Sequence, residues 1–189
     1  MAKLKGVKRA ATYLFYALLI LLAAISIFSA VQGATGSSFP LLVVKSGSME
    51  PVIHPGDIII TAPVKPSEIR ADPRDGDVIV FFKPPYYGDL NYLIVHRAIG
   101  VVDGGFVTKG DANSIPDPWS PVPPNYVVGK WTGMKLPYWT GIGYLSLFLR
   151  GEVFSPYGRI VLVLIIAVNA LLILLEFRRA WKESRKAPA

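Results

Sequence analysis

Two serines in a predicted turn are the candidate nucleophiles of this chain. Ser46 and Ser48 lie in the segment KSGSMEP, Lys45 to Pro51, where a short apolar run gives way to a turn that ends in proline. A serine hydroxyl becomes an effective nucleophile when a neighbouring base takes its proton. Serine is also a common turn residue, so this segment by itself is more typical of a structural turn.

The base for such a serine would come from one of the two histidines in the chain. His54 lies between Ile53 and Pro55, in a turn, which is typical of a surface histidine. His96 lies inside the apolar segment YLIVHRAI, where partial burial would hold a neutral imidazole in place, as a general base requires. The alternative for His96 is a core histidine with satisfied hydrogen bonds, and the pattern alone favours that alternative.

Two aspartates in one segment could orient the imidazole. The sequence TKGDANSIPDPW, Thr108 to Trp119, places Asp111 just after a predicted strand and Asp117 in the loop that follows. Either carboxylate could accept the hydrogen of the second ring nitrogen of a histidine. Aspartates in loops usually stabilise turns, so this role depends on the serine and the histidine being implicated first.

Other catalytic signatures are absent from the sequence. There is no HExxH zinc motif, no Walker phosphate loop and no GxSxG elbow. The chain has no cysteine, which excludes cysteine nucleophiles, paired-cysteine metal sites and disulfides. We therefore expect hydroxyl chemistry with no cofactor and no metal.

The composition indicates a membrane protein, with 52% hydrophobic residues and a mean hydropathy of +0.42. Residues 10–31 carry no charge and are about as long as the roughly 20 residues that a helix needs to cross a bilayer. The alternative is a cleaved signal peptide, but its apolar region would be shorter. A second, shorter apolar segment predicts another transmembrane helix over residues 157–177, in which Arg159 would reach towards the interface.

The charge distribution predicts a topology. The two ends of the chain hold nine basic and two acidic residues, which is the whole of the net charge of +7, and the part between them holds eleven of each. Basic segments beside membrane spans stay in the cytoplasm. We expect cytoplasmic tails at 1–9 and 178–189, and an extracytoplasmic domain over 32–156. A middle domain without excess basic charge also argues against a nucleic-acid partner.

The predicted extracytoplasmic domain is mainly β. Its short runs rich in Val, Ile, Phe and Tyr are typical of strands and begin at Leu41, Asp57, Asp77, Tyr92, Phe106 and Tyr126. Asp103 to Gly105 predicts a hairpin turn, and the proline-rich stretches 83–87 and 115–124 predict loops. The aromatic segment from Tyr138 to Leu149 suits either the membrane interface or a buried core. The predicted fold class is a mainly β domain flanked by two transmembrane α-helices.

Four segments together resemble the type I signal peptidase family. SGSMEP is similar to the family's nucleophile box, GDIII at Gly56 to its next box, HR at His96 to its base box and GDANSIPD at Gly110 to its last box. The resemblance covers most of Leu41 to Asp117. Bacterial members have lysine at the base position, whereas a histidine there is similar to the archaeal and endoplasmic-reticulum branch, which implies a Ser-His-Asp mechanism.

The resemblance implies a role for each candidate residue. Ser48 would be the nucleophile, His96 the base and Asp117 the orienting acid, with Asp111 in support. The hydroxyl of Ser46 and the backbone amide of Ser48 would bind the oxyanion.

Three further residues near these boxes bear on that assignment. The resemblance implies a structural role for Arg97. Ala112 stands where this branch often has asparagine, and Pro116 directly precedes Asp117, so the division of roles between the two aspartates stays open.

The implied activity is that of a membrane-bound serine endopeptidase that removes N-terminal signal peptides from exported preproteins at the cell membrane. Its partners would be these preproteins and the lipid bilayer, while the sequence leaves accessory subunits and oligomeric state undetermined. Small residues before the cleavage site would need a shallow pocket, to which Met49 could contribute. The alternative is a two-span membrane protein whose β domain binds a partner without chemistry.

Overall fold

The computed structural model describes residues 2–152 and, after them, positions 157–158, 160–161, 163–168, 171, 175 and 178. The chain divides into two compact units, Met1–Pro137 and Tyr138–Ala189. Nine of the 21 positions of the predicted second span, 157–177, and all of the predicted C-terminal tail after position 178 lie outside the described residues, as do positions 153–156. The candidate site lies wholly within the first unit.

A long helix, α1 (Ala2–Thr35), opens the first unit. Its segment Phe15–Thr35 has 21 residues with a mean hydropathy of 2.2, and none of it is buried within the protein. An exposed apolar surface of this length is what a bilayer would cover. The predicted apolar helix over 10–31 is therefore confirmed as a helix. Among the described residues α1 is the one helix long and apolar enough to cross a membrane, so a second span is not confirmed.

The rest of the first unit is built on one antiparallel sheet. Its six strands are β1 (Leu41–Val43), β2 (Ile58–Ala62), β3 (Val78–Phe82), β4 (Leu93–Val102), β5 (Gly105–Lys109) and β6 (Val127–Leu136). They lie in the order β1-β2-β6-β3-β4-β5. Each strand coincides with an apolar run picked out in the sequence, which confirms the mainly β prediction.

The turn between β4 and β5 is the predicted hairpin turn. Asp103 and Gly104 both have positive φ angles, 50° and 75°, as a two-residue turn that matches the right-handed twist of its strands requires. The register of the hairpin places Arg97 opposite Lys109 and Ala98 opposite Thr108. The end of β5 and the loop that follows it therefore lie beside His96.

The central strand β3 separates two hydrophobic clusters. All five of its residues are buried, and alternate residues face opposite sides, as in any β-strand. Ile79 and Phe81 pack with Ala98 in one cluster, while Val78 packs with Met49 in the other. The strand that carries His96 and the turn that carries Ser48 are thus each anchored by buried apolar side chains.

The proline-rich stretches 83–87 and 115–124 lie outside the strands, as predicted, apart from one bridge between Val122 and Phe106. In the second unit, α2 (Ile142–Leu149) follows a single 3₁₀ turn, Tyr138–Thr140. Trp139 and Leu149 are 75% and 60% exposed, whereas Leu147 is buried, so most but not all of this aromatic segment lies on the surface. The described positions from 158 to 178 have helical backbone.

Candidate active site

Ser48 lies in a one-turn 3₁₀ helix, Gly47–Met49, that follows β1. Ser46 enters the turn with an extended backbone, and Glu50 leaves it extended, because the residue before a proline is disfavoured in helical conformation. Met49 is buried in the core, and its carbonyl accepts a hydrogen bond from the Ile53 amide. The turn is therefore anchored to the core by Met49, while the Ser48 side chain is partly exposed.

His96 lies on β4, opposite Ile79 of the central strand. Its side chain is 7% exposed. Its Nε2 atom is 3.0 Å from the Ser48 hydroxyl oxygen, and its Nδ1 atom is 2.6 Å from Oδ2 of Asp117. The structure thus brings together three residues that are separated by 48 and 21 positions in the sequence.

Asp117 is buried and is held through both its backbone and its carboxylate. Its amide donates to the Thr108 carbonyl over 2.8 Å, and its own carbonyl accepts from the Ser120 amide over 3.0 Å. The Thr108 hydroxyl donates to Oδ2 of Asp117 over 2.7 Å. The carboxylate is therefore already oriented towards His96 by the chain around it.

Asp111 binds Arg97 and not His96. Arg97 donates from Nε to its Oδ1 over 2.8 Å and from Nη2 to its Oδ2 over 2.6 Å, and a third donor of Arg97 reaches the Gly76 carbonyl over 2.7 Å. Arg97 and His96 are adjacent on β4, so their side chains point to opposite faces of the sheet. That is why the structure brings Asp117, and not Asp111, into contact with His96. The hydrogen bonds to Asp111 raise the pKa of Arg97, against the opposing effect of burial.

Gly110 and Ala112 bring the loop after β5 against the serine. The Ala112 amide donates to the Ser48 carbonyl over 2.9 Å. A Cβ atom on Gly110 would lie 2.6 Å from the Ser48 carbonyl oxygen, closer than real contacts allow, and 3.0 Å from His96 Nε2, which is a tight contact. The absence of the asparagine expected at position 112 leaves this contact intact, because it uses the backbone.

The two remaining predictions in the nucleophile segment have different outcomes. The Ser46 hydroxyl oxygen lies 3.3 Å from that of Ser48, so the two hydroxyl groups are neighbours, and the oxyanion role of Ser46 stays a prediction. Met49 is 1% exposed and packs with Val44, Ile53 and Ile59. It offers almost no surface to a substrate, so the idea that it lines a pocket is wrong: its side chain is used by the core.

The second histidine lies in the turn after the serine, as predicted. The His54 amide donates to Oδ2 of the fully buried Asp57 over 2.8 Å. Lys135 of β6 donates to the same oxygen over 2.7 Å and to the Val52 carbonyl over 2.8 Å. This ion pair, which sequence reasoning missed, ties the nucleophile segment to the sheet.

Sequence reasoning also missed the residues that hold Asp117. Thr108 is fully buried, and Ser120, whose hydroxyl oxygen accepts from the Thr108 amide, directly follows the segment from Thr108 to Trp119. The register shift between Ala98 and Gly100 places Thr108 opposite Ala98, so counting residues from the hairpin turn would not have found this contact. Within the part of the chain that the structure describes, no group of three or more potential ligand side chains could hold a metal ion.

The geometry is that of an activated hydroxyl. A serine oxygen, an imidazole and a carboxylate in hydrogen-bonded series allow the imidazole to take the serine proton while the carboxylate holds the ring in the correct tautomer. The distances of 3.0 Å and 2.6 Å are within the range in which a general base acts. The arrangement suits nucleophilic attack on a carbonyl carbon.

Comparison with known proteins finds that the chain is similar to signal peptidases. The chain is 38% identical over 104 residues to the human "Signal peptidase complex catalytic subunit SEC11C", a match that covers 52% of this chain and 50% of the relative. It is 31% identical over 130 residues to "Signal peptidase I W" of Bacillus subtilis (strain 168), covering 66% of this chain and 64% of that protein. The chain belongs to the type I signal peptidase family.

Other comparisons bear on the extent of this likeness. The "Signal peptidase complex catalytic subunit SEC11" of Verticillium alfalfae is 31% identical over 121 residues, covering 62% of this chain and 66% of that protein. No family model matches the chain. The chain spans about half the length of the SEC11C proteins that it matches. Within the type I signal peptidase family, a histidine at position 96 fits the similarity to the SEC11 proteins of the endoplasmic-reticulum branch.

Proposed function

We propose that this protein is a membrane-anchored serine endopeptidase that removes signal peptides from exported preproteins. The observation that carries the proposal is the series Ser48–His96–Asp117, with contacts of 3.0 Å and 2.6 Å, in a member of the type I signal peptidase family. The proposed substrates are preproteins that carry an N-terminal apolar signal segment.

The proposed reaction begins with attack of the Ser48 hydroxyl oxygen on the scissile carbonyl carbon. His96 accepts the serine proton at Nε2, while the Asp117 carboxylate accepts the hydrogen bond from Nδ1 and stabilises the resulting imidazolium. His96 then gives its proton to the amine of the mature protein as the peptide bond breaks. Water, deprotonated by the same imidazole, hydrolyses the acyl-enzyme and releases the signal peptide.

The oxyanion of the tetrahedral intermediates would be bound by the Ser46 hydroxyl and the Ser48 backbone amide. Ser48 lies in the first turn of a 3₁₀ helix, where amides have no acceptor within the helix. Loss of one oxyanion donor costs about 2.7–4 kcal/mol of transition-state stabilisation in serine proteases. Ser46→Ala should therefore lower kcat by about 10²–10³-fold with little effect on KM.

Anchoring of the chain in the membrane would place its active site close to the substrate. The exposed apolar helix Phe15–Thr35 would span the membrane, the apolar segment over 157–177 would cross back, and both basic ends would remain in the cytoplasm. A signal peptide whose apolar segment lies in the same bilayer then meets the serine at a raised effective concentration.

The topology is testable because the chain contains no cysteine. Single cysteines would be introduced at Lys3, at Ser184 and at the exposed Ser67, and then labelled with an impermeant maleimide in intact and in permeabilised cells. The proposal expects labelling of intact cells at position 67 alone. Labelling at position 184 in intact cells would show that the C-terminal segment does not return to the cytoplasm.

The activity test is cleavage of a preprotein in liposomes by the wild-type chain and by Ser48→Ala. Release of the mature protein by the wild type and not by the variant supports the proposal. Ser67→Ala, an exposed serine in a separate turn, is the matched control and should cleave normally. Equal cleavage by wild type and Ser48→Ala would exclude Ser48 as the nucleophile. If purified wild type is inactive but binds preproteins, the alternative of a non-catalytic binding domain is favoured.

A further inference from the structure

Thr108 is a fully buried hydroxyl that contacts the acid of the series. It lies on β5 opposite Ala98, on the same face of the hairpin as His96, which is two residues before Ala98. Its hydroxyl donates to Oδ2 of Asp117 over 2.7 Å. The same oxygen accepts the hydrogen bond from His96 Nδ1 over 2.6 Å. One carboxylate oxygen therefore serves two donors, and only one of them is the histidine.

We propose that Thr108 is a positioning residue with two effects. It sets the orientation of Asp117, and its hydrogen bond to Oδ2 moderates the strength of the hydrogen bond that the same oxygen accepts from His96. This inference rests on the proposed function for its kinetic consequences and on the hydrogen bonds alone for its structural ones. Thr108 is fully buried, so it has no surface with which to touch a substrate and acts through Asp117.

A second hydroxyl extends the series. The Thr108 amide donates to the Ser120 hydroxyl oxygen over 3.0 Å, so the Ser120 proton is left to point elsewhere. The two hydroxyl oxygens of Ser120 and Thr108 are 3.4 Å apart. With Ser120 donating to Thr108 and Thr108 donating to Asp117, each hydrogen bond polarises the next. Asp117 fixes the direction of donation in this series, because an ionised carboxylate accepts hydrogen bonds and does not donate them.

The burial of Asp117 gives this contact its importance. The carboxylate is 3% exposed, and the described contacts of its oxygens are those with His96 and Thr108. A buried carboxylate that loses one hydrogen-bond donor is less stabilised, and its hydrogen bond with the remaining donor becomes stronger. Removal of the Thr108 hydroxyl should therefore strengthen the hydrogen bond that Oδ2 of Asp117 accepts from His96, and the acidic limb of the pH–rate profile should move to higher pH.

The test compares three variants of the full chain. Thr108→Val removes the hydroxyl and keeps the β-branched shape, Thr108→Ser keeps the hydroxyl, and Thr61→Val removes the hydroxyl of another buried strand threonine, 1% exposed and bonded to Ser37. For Thr108→Val we expect kcat to fall about tenfold with KM unchanged, because a hydrogen bond to a charged group is lost. We also expect the acidic limb to move up by about half a pH unit or more. Thr108→Ser should retain the wild-type profile, and Thr61→Val should not move it.

A second readout does not depend on cleavage. With two histidines in the chain, spectra of protein labelled with ¹⁵N-histidine in micelles contain two imidazoles, and His54→Asn assigns them. The resonance of the His96 Nδ1–H proton, which Asp117 accepts, should move downfield in Thr108→Val relative to the wild type, because this hydrogen bond becomes stronger. This measurement stands even if no preprotein is cleaved, so failure of the proposed function and failure of this inference remain distinguishable.

Two outcomes would overturn the inference. One is that both the pH–rate profile and the His96 Nδ1–H resonance stay unchanged in Thr108→Val. The other is an equal shift in Thr108→Ser, which would assign the effect to packing of the methyl group. If Thr108→Val does not fold, Ser120→Ala takes its place. A smaller change in the same direction is then expected in the pH–rate profile and in the His96 Nδ1–H resonance, and no change in either would count against the inference.

Discussion

Arg97 binds Asp111 through two parallel hydrogen bonds of 2.8 Å and 2.6 Å, on the face of β4 opposite to the adjacent His96. Both side chains of this pair are about 15% exposed, so the pair is largely shielded from solvent. Bidentate Arg–carboxylate pairs are stronger and more specific in geometry than single contacts. The pair therefore fixes the loop after β5, whereas the second aspartate of that loop, Asp117, is left to serve His96.

The first prediction separates the two aspartates. Asp117→Asn should lower kcat by about 10³–10⁴-fold, because an amide in place of the carboxylate holds the imidazole in the wrong tautomer. Asp111→Asn should keep most of kcat and lower the free energy of unfolding by about 1–3 kcal/mol, since Arg97 loses a charged partner. Preprotein cleavage and thermal unfolding in detergent would check both. Equal losses of kcat in the two variants would contradict the assignment.

The second prediction concerns the two histidines. His96→Ala should lower kcat by at least about 10⁴-fold, because no other described group contacts the Ser48 hydroxyl as a base. His54→Ala should keep most of the activity, because the backbone amide of residue 54, which donates to Asp57, remains. Side-by-side cleavage assays would decide. Activity in His96→Ala together with inactivity in His54→Ala would reverse the choice of base.

The third prediction tests the close approach at Gly110. Gly110→Ala should lower activity strongly and destabilise the fold by about 1–3 kcal/mol, because the added Cβ meets the Ser48 carbonyl and His96 Nε2. Gly100→Ala on β4 is the matched control, since its added Cβ would meet only the Val107 side chain, at an ordinary 3.9 Å. Cleavage rates and unfolding temperatures of the two variants give the answer. An active, stable Gly110→Ala variant would show that the loop can move away from Ser48.

The fourth prediction is a pH effect on stability. The amides of Asp75 and Arg74 donate to the Asp72 carboxylate and lower the pKa of this group below its usual 3.8. A lowered pKa means that the folded state favours the ionised form, so the stabilisation is present above pH about 4 and is lost as the pH falls through the lowered value. Asp72→Asn should be less stable than the wild type near neutral pH, and the difference should vanish in strong acid. Unfolding measured from pH 6 to pH 2 would test this, and a constant difference would contradict it.

The sequence predicted much of the local structure. Each of the six strands follows from a short run of β-branched and aromatic residues bounded by turn residues. The hairpin at Asp103 and Gly104 follows from the small set of residues that tolerate positive φ. The apolar helix follows from an uncharged run of sufficient length. These properties depend on neighbours in the chain, and for that reason pattern and propensity were enough.

The candidate residues of the site were also named from the sequence, but their contacts were not. Ser48, His96 and both aspartates follow from their types and from the resemblance of their segments to a known family. Which aspartate faces His96 depends on the face of β4 from which each neighbouring residue points and on the path of a loop. No pattern within the loop itself distinguishes Asp111 from Asp117.

Tertiary structure alone decided which groups support the site. Thr108 reaches Asp117 because the register of the β4–β5 hairpin places it beside His96, and Lys135 reaches Asp57 across 78 positions of sequence because β6 pairs with β2. Met49 looked available to a substrate in the sequence but is used by the core. The physical reason is the same in each case: strand register and burial are set by packing between distant segments, whereas residue type and local periodicity are set by the chain itself.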